Sequence, residues 1–392
     1  MQDSILSSLF SKSQYQHFQK SWPEKSVVEH DNLTRLPALF SHPLLQSIES
    51  LTQAYRGRVL AADRRHSDSM TPISEDGASL AVQEGLTIYM DDLTPLLPEA
   101  SEFLQQLENE LCIPLGSARI GAFVSPPGNG APCHYDVNEV ISVQLVGSKQ
   151  FNIAPVEQIP YPYGMQYSPS TVPFDDLYPQ MATGAPDYTD QNFDAIKMQP
   201  GSVLYMPRGT WHHTLAEEAS LAVSIILHPP TQLDRLVEQL TSTLLQDRDW
   251  RRPYYGKQID KQRAEALHVK LPKVIKNLVA REKNSQAPSK IITRRSRFFR
   301  TPSVEVSISN QQTHCDIHIA APTETGVTHT SKLTTPAHTG EVIRWISERD
   351  GPFTGEQLAQ QFPAAPWDLL VEILDVAQQS MLVRFLWFDP LK

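Results

Sequence analysis

Long apolar runs are missing from this chain of 392 residues. None approaches the roughly 18 to 20 residues that cross a bilayer as a helix. The opening MQDSILSSLFSKSQYQ has no basic region leading into a long apolar stretch, so a secretory leader of the usual form is not expected. Cysteine is scarce. Cys112, Cys133 and Cys315 are odd in number and unrelated in spacing, which excludes a disulfide scaffold, argues against a structural zinc site and suits a reducing compartment. The expectation is a cytoplasmic protein. Positive charge is in deficit, with 34 Lys and Arg against 44 Asp and Glu and a formal charge of -10. A surface of that sign does not suit a nucleic-acid reader, which needs a basic face against phosphates. Glycine is modest at 17 while proline is high at 31, so loops and turns should be plentiful. What remains is an ordinary globular composition, 40% hydrophobic, long enough for two to three units of about 100 to 200 residues.

Phe103, Leu104, Leu107 and Leu111 recur at helical spacing and predict an amphipathic helix near Ser101 to Leu111. From Ala118 to Leu227 the period changes to short strands punctuated by Pro and Gly: ARIGAFVS, EVISVQLV, KQFNIAP, SVLYMP and SLAVSIIL. Val146-Gly147-Ser148-Lys149 reads as a two-residue hairpin turn with Gly147 supplying the positive φ. Strands at this spacing suggest a sandwich or jelly-roll barrel. After His228-Pro229-Pro230 a helix is predicted, with Leu233, Leu236, Val237, Leu240 and Leu244 on one stripe. The basic run from Lys273 to Arg300 contains the single acid Glu282 and reads as a solvated face. From about Thr301 polar and apolar residues alternate (VEVSI, DIHIA), and three helices and a strand follow. Thr354-Gly355-Glu356-Gln357 has the form of a capping box opening the second of these helices, and MLVRFLWF closes the chain as a strand. The expected class is α+β, with a barrel over 1–230, a helical region over 231–300 and a winged-helix-like unit over 301–392.

With 13 histidines and 44 acids, one or two His-x-acid triplets arise by chance, so a triplet alone means little. Three are present: His66-Ser67-Asp68, His134-Tyr135-Asp136 and His314-Cys315-Asp316. Residues two apart on a strand share a face, which lets an imidazole and a carboxylate meet one metal. Only the middle triplet has a site around it. It follows a Pro/Gly loop, leads into an alternating strand, and is answered by a later histidine after PRGTW, at the end of another strand. Two histidines and a carboxylate with open positions form the facial triad of non-haem Fe(II) oxygenases. The other two triplets read as surface or strand polar residues, Trp211 as packing beside the site and His228 as structural.

HYDVNEVISVQLVGSKQFNIAP, with Lys149 fifteen residues after His134, followed by QPGSVLYMPRGTWHH, resembles the Jumonji-C oxygenases, including their asparaginyl-hydroxylase branch. The resemblance implies a double-stranded β-helix of cupin type that binds Fe(II) and 2-oxoglutarate. It implies that His134, Asp136 and the histidine closing P-x-G-x-x-H, His212, are the metal ligands. It places Lys149 against the distal carboxylate of 2-oxoglutarate and Ser224 at a polar contact to the same cofactor. His213 is the alternative to His212, but adjacent strand residues face opposite ways and the family motif selects the first. YQHFQKSWPEKSVV, the helices after Pro230 and the terminal segment resemble the bacterial ribosomal oxygenases, whose helical region dimerises, so a homodimer is expected. Those enzymes carry Arg where this chain has Lys149, and Ala131 and Val140 replace positions that are polar in some relatives.

The activity implied is hydroxylation of a protein or peptide side chain. The alternatives are the same chemistry on a small molecule or natural-product peptide, and a non-enzymatic cupin-type binding protein. From Val156 to Lys197 no period is clear. Tyr161, Tyr163, Tyr167, Phe174, Tyr178, Tyr188 and Phe193 are interleaved there with Asp175, Asp176, Asp187, Asp190 and Asp194. Such a loop suits a basic, extended partner; a self-packed Ω-type loop is the alternative. No sequence-specific DNA binding is expected of the terminal unit, since Glu341 to Lys392 lacks a dense cationic face.

Overall fold

The computed structural model describes residues 4–63, 69–154, 160–164, 166–167, 193–284, 292, 294, 296–301, 303–311, 314–322, 328–349 and 351–386. The first third is a layer of short helices laid against sheet. Helices α1 (Ile5–Leu9) and α2 (Lys12–Ser21) are capped by the hydroxyls of Ser4 and Ser11. β1 (Val27–Glu29), α3 (Ile48–Ala54), β2 (Val59–Ala62), β3 (Thr71–Ile73), α4 (Ala78–Gln83) and β4 (Thr87–Met90) follow. The predicted amphipathic helix is α5 (Ala100–Glu110), which buries Phe103, Leu104 and Leu107.

The barrel comes next: β5 (Ala118–Ser125), β6 (His134–Tyr135), β7 (Glu139–Val146), β8 (Lys149–Ile153), β9 (Gln166–Tyr167), β10 (Asp194–Met198), β11 (Val203–Met206), β12 (His212–Ala216) and β13 (Ser220–Leu227). They form two antiparallel sheets. One has eight strands in the order β1-β11-β7-β13-β5-β4-β2-β3, the other five in the order β10-β8-β12-β6-β9. Both faces of the larger sheet are covered. Ile141 and Val143 of β7 and Leu221, Val223, Ile225 and Leu227 of β13 join the core beneath the helices. Their neighbours Val140, Ser142, Ala222, Ser224 and Ile226 face a cavity on the side of the smaller sheet. This is why SLAVSIIL is buried at every position and reads as a continuous apolar run.

Two expectations are corrected by this topology. The turn at Gly147-Ser148 does not close a hairpin, because β7 already has β11 and β13 on its two edges while β8 has β10 and β12. It carries the chain from one sheet to the other. The end of the segment Val156 to Lys197 is not loop: Asp194–Met198 form β10, paired with β8 from Asp194 opposite Ile153 to Met198 opposite Lys149. The rest of that segment's acidic and aromatic set, from Phe174 to Asp190, lies outside the described residues, as do His66 and Asp68.

Beyond the barrel, α6 (Gln232–Leu244) opens on a capping box of Thr231 and Asp234, and α7 (Gln258–Asn284) is one long helix whose Lys273 and Lys276 are solvated. The terminal unit has its own core. It contains β14 (Arg297–Arg300), the meander β15 (Glu305–Asn310), β16 (His314–Pro322) and β17 (Thr328–Pro336), then α8 (Ala337–Ser347), β18 (Phe353–Thr354), α9 (Gly355–Gln361), α10 (Trp367–Gln379) and β19 (Val383–Leu386). The capping box at Thr354 and Gln357 is present. β14 pairs with both β18 and β19, so the terminal sheet recruits residues before Thr301, where a basic run had masked an apolar Phe298.

Gly147 adopts φ +63°, and a Cβ there would lie 2.1 Å from the Ala219 carbonyl oxygen. Gly147→Ala is therefore expected to cost about 2 kcal/mol or more of stability, measured as a fall in the denaturation midpoint of the full chain.

Candidate metal centre

His134 and His212 stand directly opposite each other where β6 and β12 pair, with ring centroids 4.2 Å apart. His212 is the first residue of β12 rather than the last of the preceding strand, so the PRGTW turn lies ahead of it. Both imidazoles are buried. Nδ1 of His134 lies 2.8 Å from the Pro132 carbonyl oxygen and Nδ1 of His212 lies 2.9 Å from that of Thr210. A carbonyl can only accept, so each Nδ1 carries the proton and each Nε2 is left with a lone pair. Burial, and then the neighbouring His134, push His212 well below the usual imidazole range, which keeps it neutral and able to ligate. Asp136, just past β6, completes the set. Its Oδ1 is 3.8 Å from His134 Nε2 and its Oδ2 is 3.9 Å from His212 Nε2. Among the described residues this is the group of His, Cys, Asp and Glu side chains arranged to hold a metal ion, with ligand atoms all within 4.8 Å of one another.

The triad opens into a cavity of about 430 Å³ between the two sheets. Lys149, Ser142, Ser224, Thr214, Phe123 and Phe151 line its inner part. Residues 99–234 match the family model of the JmjC domain. Among curated proteins, the chain is 25% identical over 259 residues to the uncharacterized protein YxbC of Bacillus subtilis, covering 64% of this chain and 78% of that one. It is 30% identical over 117 residues to the Jumonji C domain-containing protein 5 of Drosophila melanogaster. It is 28% identical over 135 residues to the lysine-specific demethylase 8 of Xenopus tropicalis. These two matches cover 28% and 31% of this chain and span less than a third of the relatives' own length, 27% and 30%. Among solved structures, YcfD, a ribosomal oxygenase from Escherichia coli in complex with cobalt and 2-oxoglutarate, is 15% identical and covers 95% of this chain and 98% of its own, with a TM-score of 0.44. A likeness that loose carries no argument about chemistry.

The inner part of the cavity fits the cofactors of the family whose model matches residues 99–234. Two imidazole nitrogens and one carboxylate on one side suit Fe(II) with positions left open. Lys149 suits an anion beside it. Its side chain is 1% exposed, its ammonium lies 5.5 Å and 5.9 Å from the ring centres of Phe123 and Phe151, and burial alone pushes it down to about 7. An anionic group such as a carboxylate is what such a lysine calls for, and one end of 2-oxoglutarate would supply it. Ser224 faces the cavity as expected. It is paired in register with Ser142, a residue the sequence reading missed, whose buried hydroxyl has no partner among the described residues. Ala131 and Val140 also line the cavity.

His213 points away from the centre. It packs edge-on against Phe193 at 4.9 Å, and its Nδ1 lies 3.4 Å from Asn152 Nδ2. Trp211 is fully buried and packs edge-on against Tyr135 at 4.8 Å. His228 sits in the cavity wall bonded to Asn138, and burial pushes it down to about 4. His314 and Asp316 lie on β16, where Asp316 accepts a hydrogen bond from Thr334. The outer wall was not foreseen: Arg119 pairs with Asp91 at 3.2 Å, and Tyr89 donates to the same carboxylate at 3.2 Å. Their signal was absent because β4 lies ahead of the run of strands read from Ala118 to Leu227, and its pairing with β5 is long-range.

A buried lysine with no counter-charge among the described residues costs the fold stability. Charging Lys149 is disfavoured in the fold but not in the unfolded chain, so the penalty is full below pH 7, shrinks as pH rises, and vanishes near 10.5. Lys149→Met is expected to stabilise the ligand-free chain by up to about 5 kcal/mol below that range and to abolish 2-oxoglutarate binding. Thermal denaturation across pH and calorimetric titration read the two effects.

Proposed function

We propose that the chain is an Fe(II)- and 2-oxoglutarate-dependent oxygenase that hydroxylates a side chain of a protein or peptide. The observation that carries this reading is the juxtaposition, in one cavity, of a His134–Asp136–His212 ligand set and a fully buried lysine that has no counter-charge among the described residues. Iron and 2-oxoglutarate, when bound, supply the oxidising chemistry, coupling decarboxylation to hydrogen abstraction from an unactivated carbon. The protein's part is geometric. His134, Asp136 and His212 hold the metal from one side, Lys149 fixes the far carboxylate of the co-substrate, and Ser142 and Ser224 present hydroxyls to it. The apolar walls of Phe123, Phe151, Ala222 and Ile226 exclude water from the reacting end. Hydroxylation and demethylation begin with the same abstraction, and the names of the JmjC relatives include both demethylases and a protein of uncharacterized role.

In the same reading the substrate is basic, the compartment is cytoplasmic and the assembly is a homodimer. Three free thiols suit that compartment, and no helix of the described residues is long and apolar enough to cross a membrane. Support for the dimer is the α6 face, where Leu233, Leu236, Val237 and the adjacent Leu245 are 42% to 51% exposed, a stripe that a lone helix has no reason to present to water. The sheet β18-β14-β19 with α8, α9 and α10 supports a winged-helix-like terminal unit. We assign it no sequence-specific DNA contact.

With Fe(II), 2-oxoglutarate and oxygen the chain is expected to form succinate, and His134→Ala, Asp136→Ala and His212→Ala are each expected to abolish it while leaving the fold intact. Substrate is sought as a protein or peptide that gains the mass of one oxygen atom. Absence of succinate from the wild-type chain would favour a binding protein. Turnover retained in His212→Ala but lost in His213→Ala would reverse the ligand assignment.

Sedimentation at micromolar concentration is expected to show a dimer that Leu236→Glu combined with Val237→Glu converts to monomer. A wild-type monomer would remove the dimer.

A further inference from the structure

Asp136 is held differently from its two fellow ligands. Each histidine is fixed by a hydrogen bond from Nδ1 and by its place in a ladder. Asp136 stands beyond the end of β6, its side chain is 23% exposed, and apart from the two imidazoles no polar group among the described residues pairs with its carboxylate. A metal ligand left to its own rotamers forms a poor site, because the entropy of ordering it is then lost on binding.

What restrains Asp136 is its backbone and the turn that follows. Gly209, at φ +81°, donates its N–H to the Asp136 carbonyl oxygen at 2.8 Å. The residue before Gly209 is Arg208, and it forms a two-point bond with Glu139, the first residue of β7: Nη2 to Oε2 at 2.8 Å, and Nε to Oε1. The Asp136–Glu139 turn and the Pro207–His212 turn are therefore tied together in two places. One turn leads out of the His134–Asp136 half of the site and the other leads into His212. The second turn is braced from within by Thr210, whose hydroxyl donates to the Pro207 carbonyl at 2.7 Å.

Both members of this ion pair are buried, with side chains 8% and 4% exposed. Burying two charges carries a desolvation cost that apolar packing would avoid, and apolar packing is at hand, since Val140 and Met206 nearby belong to a hydrophobic cluster. Stability alone therefore does not account for the pair. A two-point guanidinium–carboxylate bond adds angular definition, and it occupies both oxygens of Glu139, so that Arg208 is committed to Glu139 rather than to the neighbouring Asp136.

We propose that Glu139 and Arg208 are a positioning pair that fixes the Asp136 carboxylate as a metal ligand by locking the two turns that meet at the centre. The proposal rests on the metal reading above. It makes the pair part of the metal site without either residue touching the ion.

The test is binding of Co(II) alone to the metal-free full-length chain, followed by calorimetry and by the visible absorption of the bound cobalt. Glu139→Gln removes the charge. Arg208→Lys keeps both charges and loses the two-point bond. Each is expected to weaken cobalt binding by about 10- to 100-fold, the usual effect of disturbing an outer partner of a ligand, and to change the absorption as Asp136 gives way to water. If the pair only stabilises the fold, the denaturation midpoint of the metal-free variants falls while the folded variants bind cobalt within about twofold of wild type and with the same spectrum; that result overturns the proposal. Should Glu139→Gln fail to fold, Arg208→Lys decides alone. No cobalt uptake by the wild-type chain would overturn the metal reading along with this one, whereas normal uptake by wild type and both variants overturns only this one.

Discussion

The pairing of His134 with His212 at one rung between β6 and β12 is the constraint on which the rest of the site depends. A strand can present a given side chain to one face only, and a slip of one residue would bring His213 to the cavity and turn His212 away. The rung is held from both sides. β12 also pairs with β8 from His212 opposite Ile153 to Ala216 opposite Lys149, so the register that places the second histidine also places the buried lysine. Thr214 exchanges bonds with Ala131 across the loop ahead of His134, its hydroxyl accepting from the Ala131 N–H at 2.8 Å and its own N–H donating to the Ala131 carbonyl at 3.1 Å. The two histidines and the buried lysine are thus set by one ladder rather than by separate loops.

That rigidity has a counterpart in energy. Lys149, Glu139 and Arg208 are all buried, and apolar side chains in place of Lys149, or of Glu139 and Arg208 together, would be an advantage if folding were the only demand. The stabilising burial lies elsewhere, in the layer of Leu9, Phe40, Leu45, Phe103 and Leu107 packed on the outer face of the larger sheet. The helical layer offsets the cost of a polar interior, and this separation lets β7 and β13 be apolar on one face while carrying Ser142 and Ser224 on the other.

Much of this was legible in the chain itself, for a local reason. EVISVQLV became β7 and SLAVSIIL became β13 over the residues read from the pattern, because a run bounded by Pro, Gly and Asn has little choice of length. His134, Asp136, His212 and Lys149 were legible because their spacing resembles a family, and the structure brings all four to one cavity. What was not legible is pairing. A Gly at positive φ between two strands looks the same whether the strands pair or part, and only the occupancy of both edges of β7 by β11 and β13 decides that they part. Ser142 escaped notice for a related reason: in a strand buried on both faces, alternation is too weak to show which hydroxyl faces a cavity. The Asp91–Arg119–Tyr89 group escaped because Tyr89 and Arg119 come from two strands whose contact is long-range, with Asp91 just past the first.

The terminal unit shows the same dependence on contacts that no local pattern announces. Arg384, on β19, is buried and donates to the Thr94 hydroxyl at 3.1 Å and to the Ala118 carbonyl oxygen, both on the barrel side. Ser303 donates to the Pro98 carbonyl at 3.0 Å. Gly116 lies so close that a Cβ there would fall 2.1 Å from the Phe385 carbonyl oxygen, an approach only glycine allows. A guanidinium buried against a hydroxyl and a backbone carbonyl must keep both acceptors in place or leave a charge unsatisfied. The terminal sheet therefore docks where β5 begins, at the residue before Arg119 of the cavity wall. Its own core and that buried charge together set where it meets the barrel.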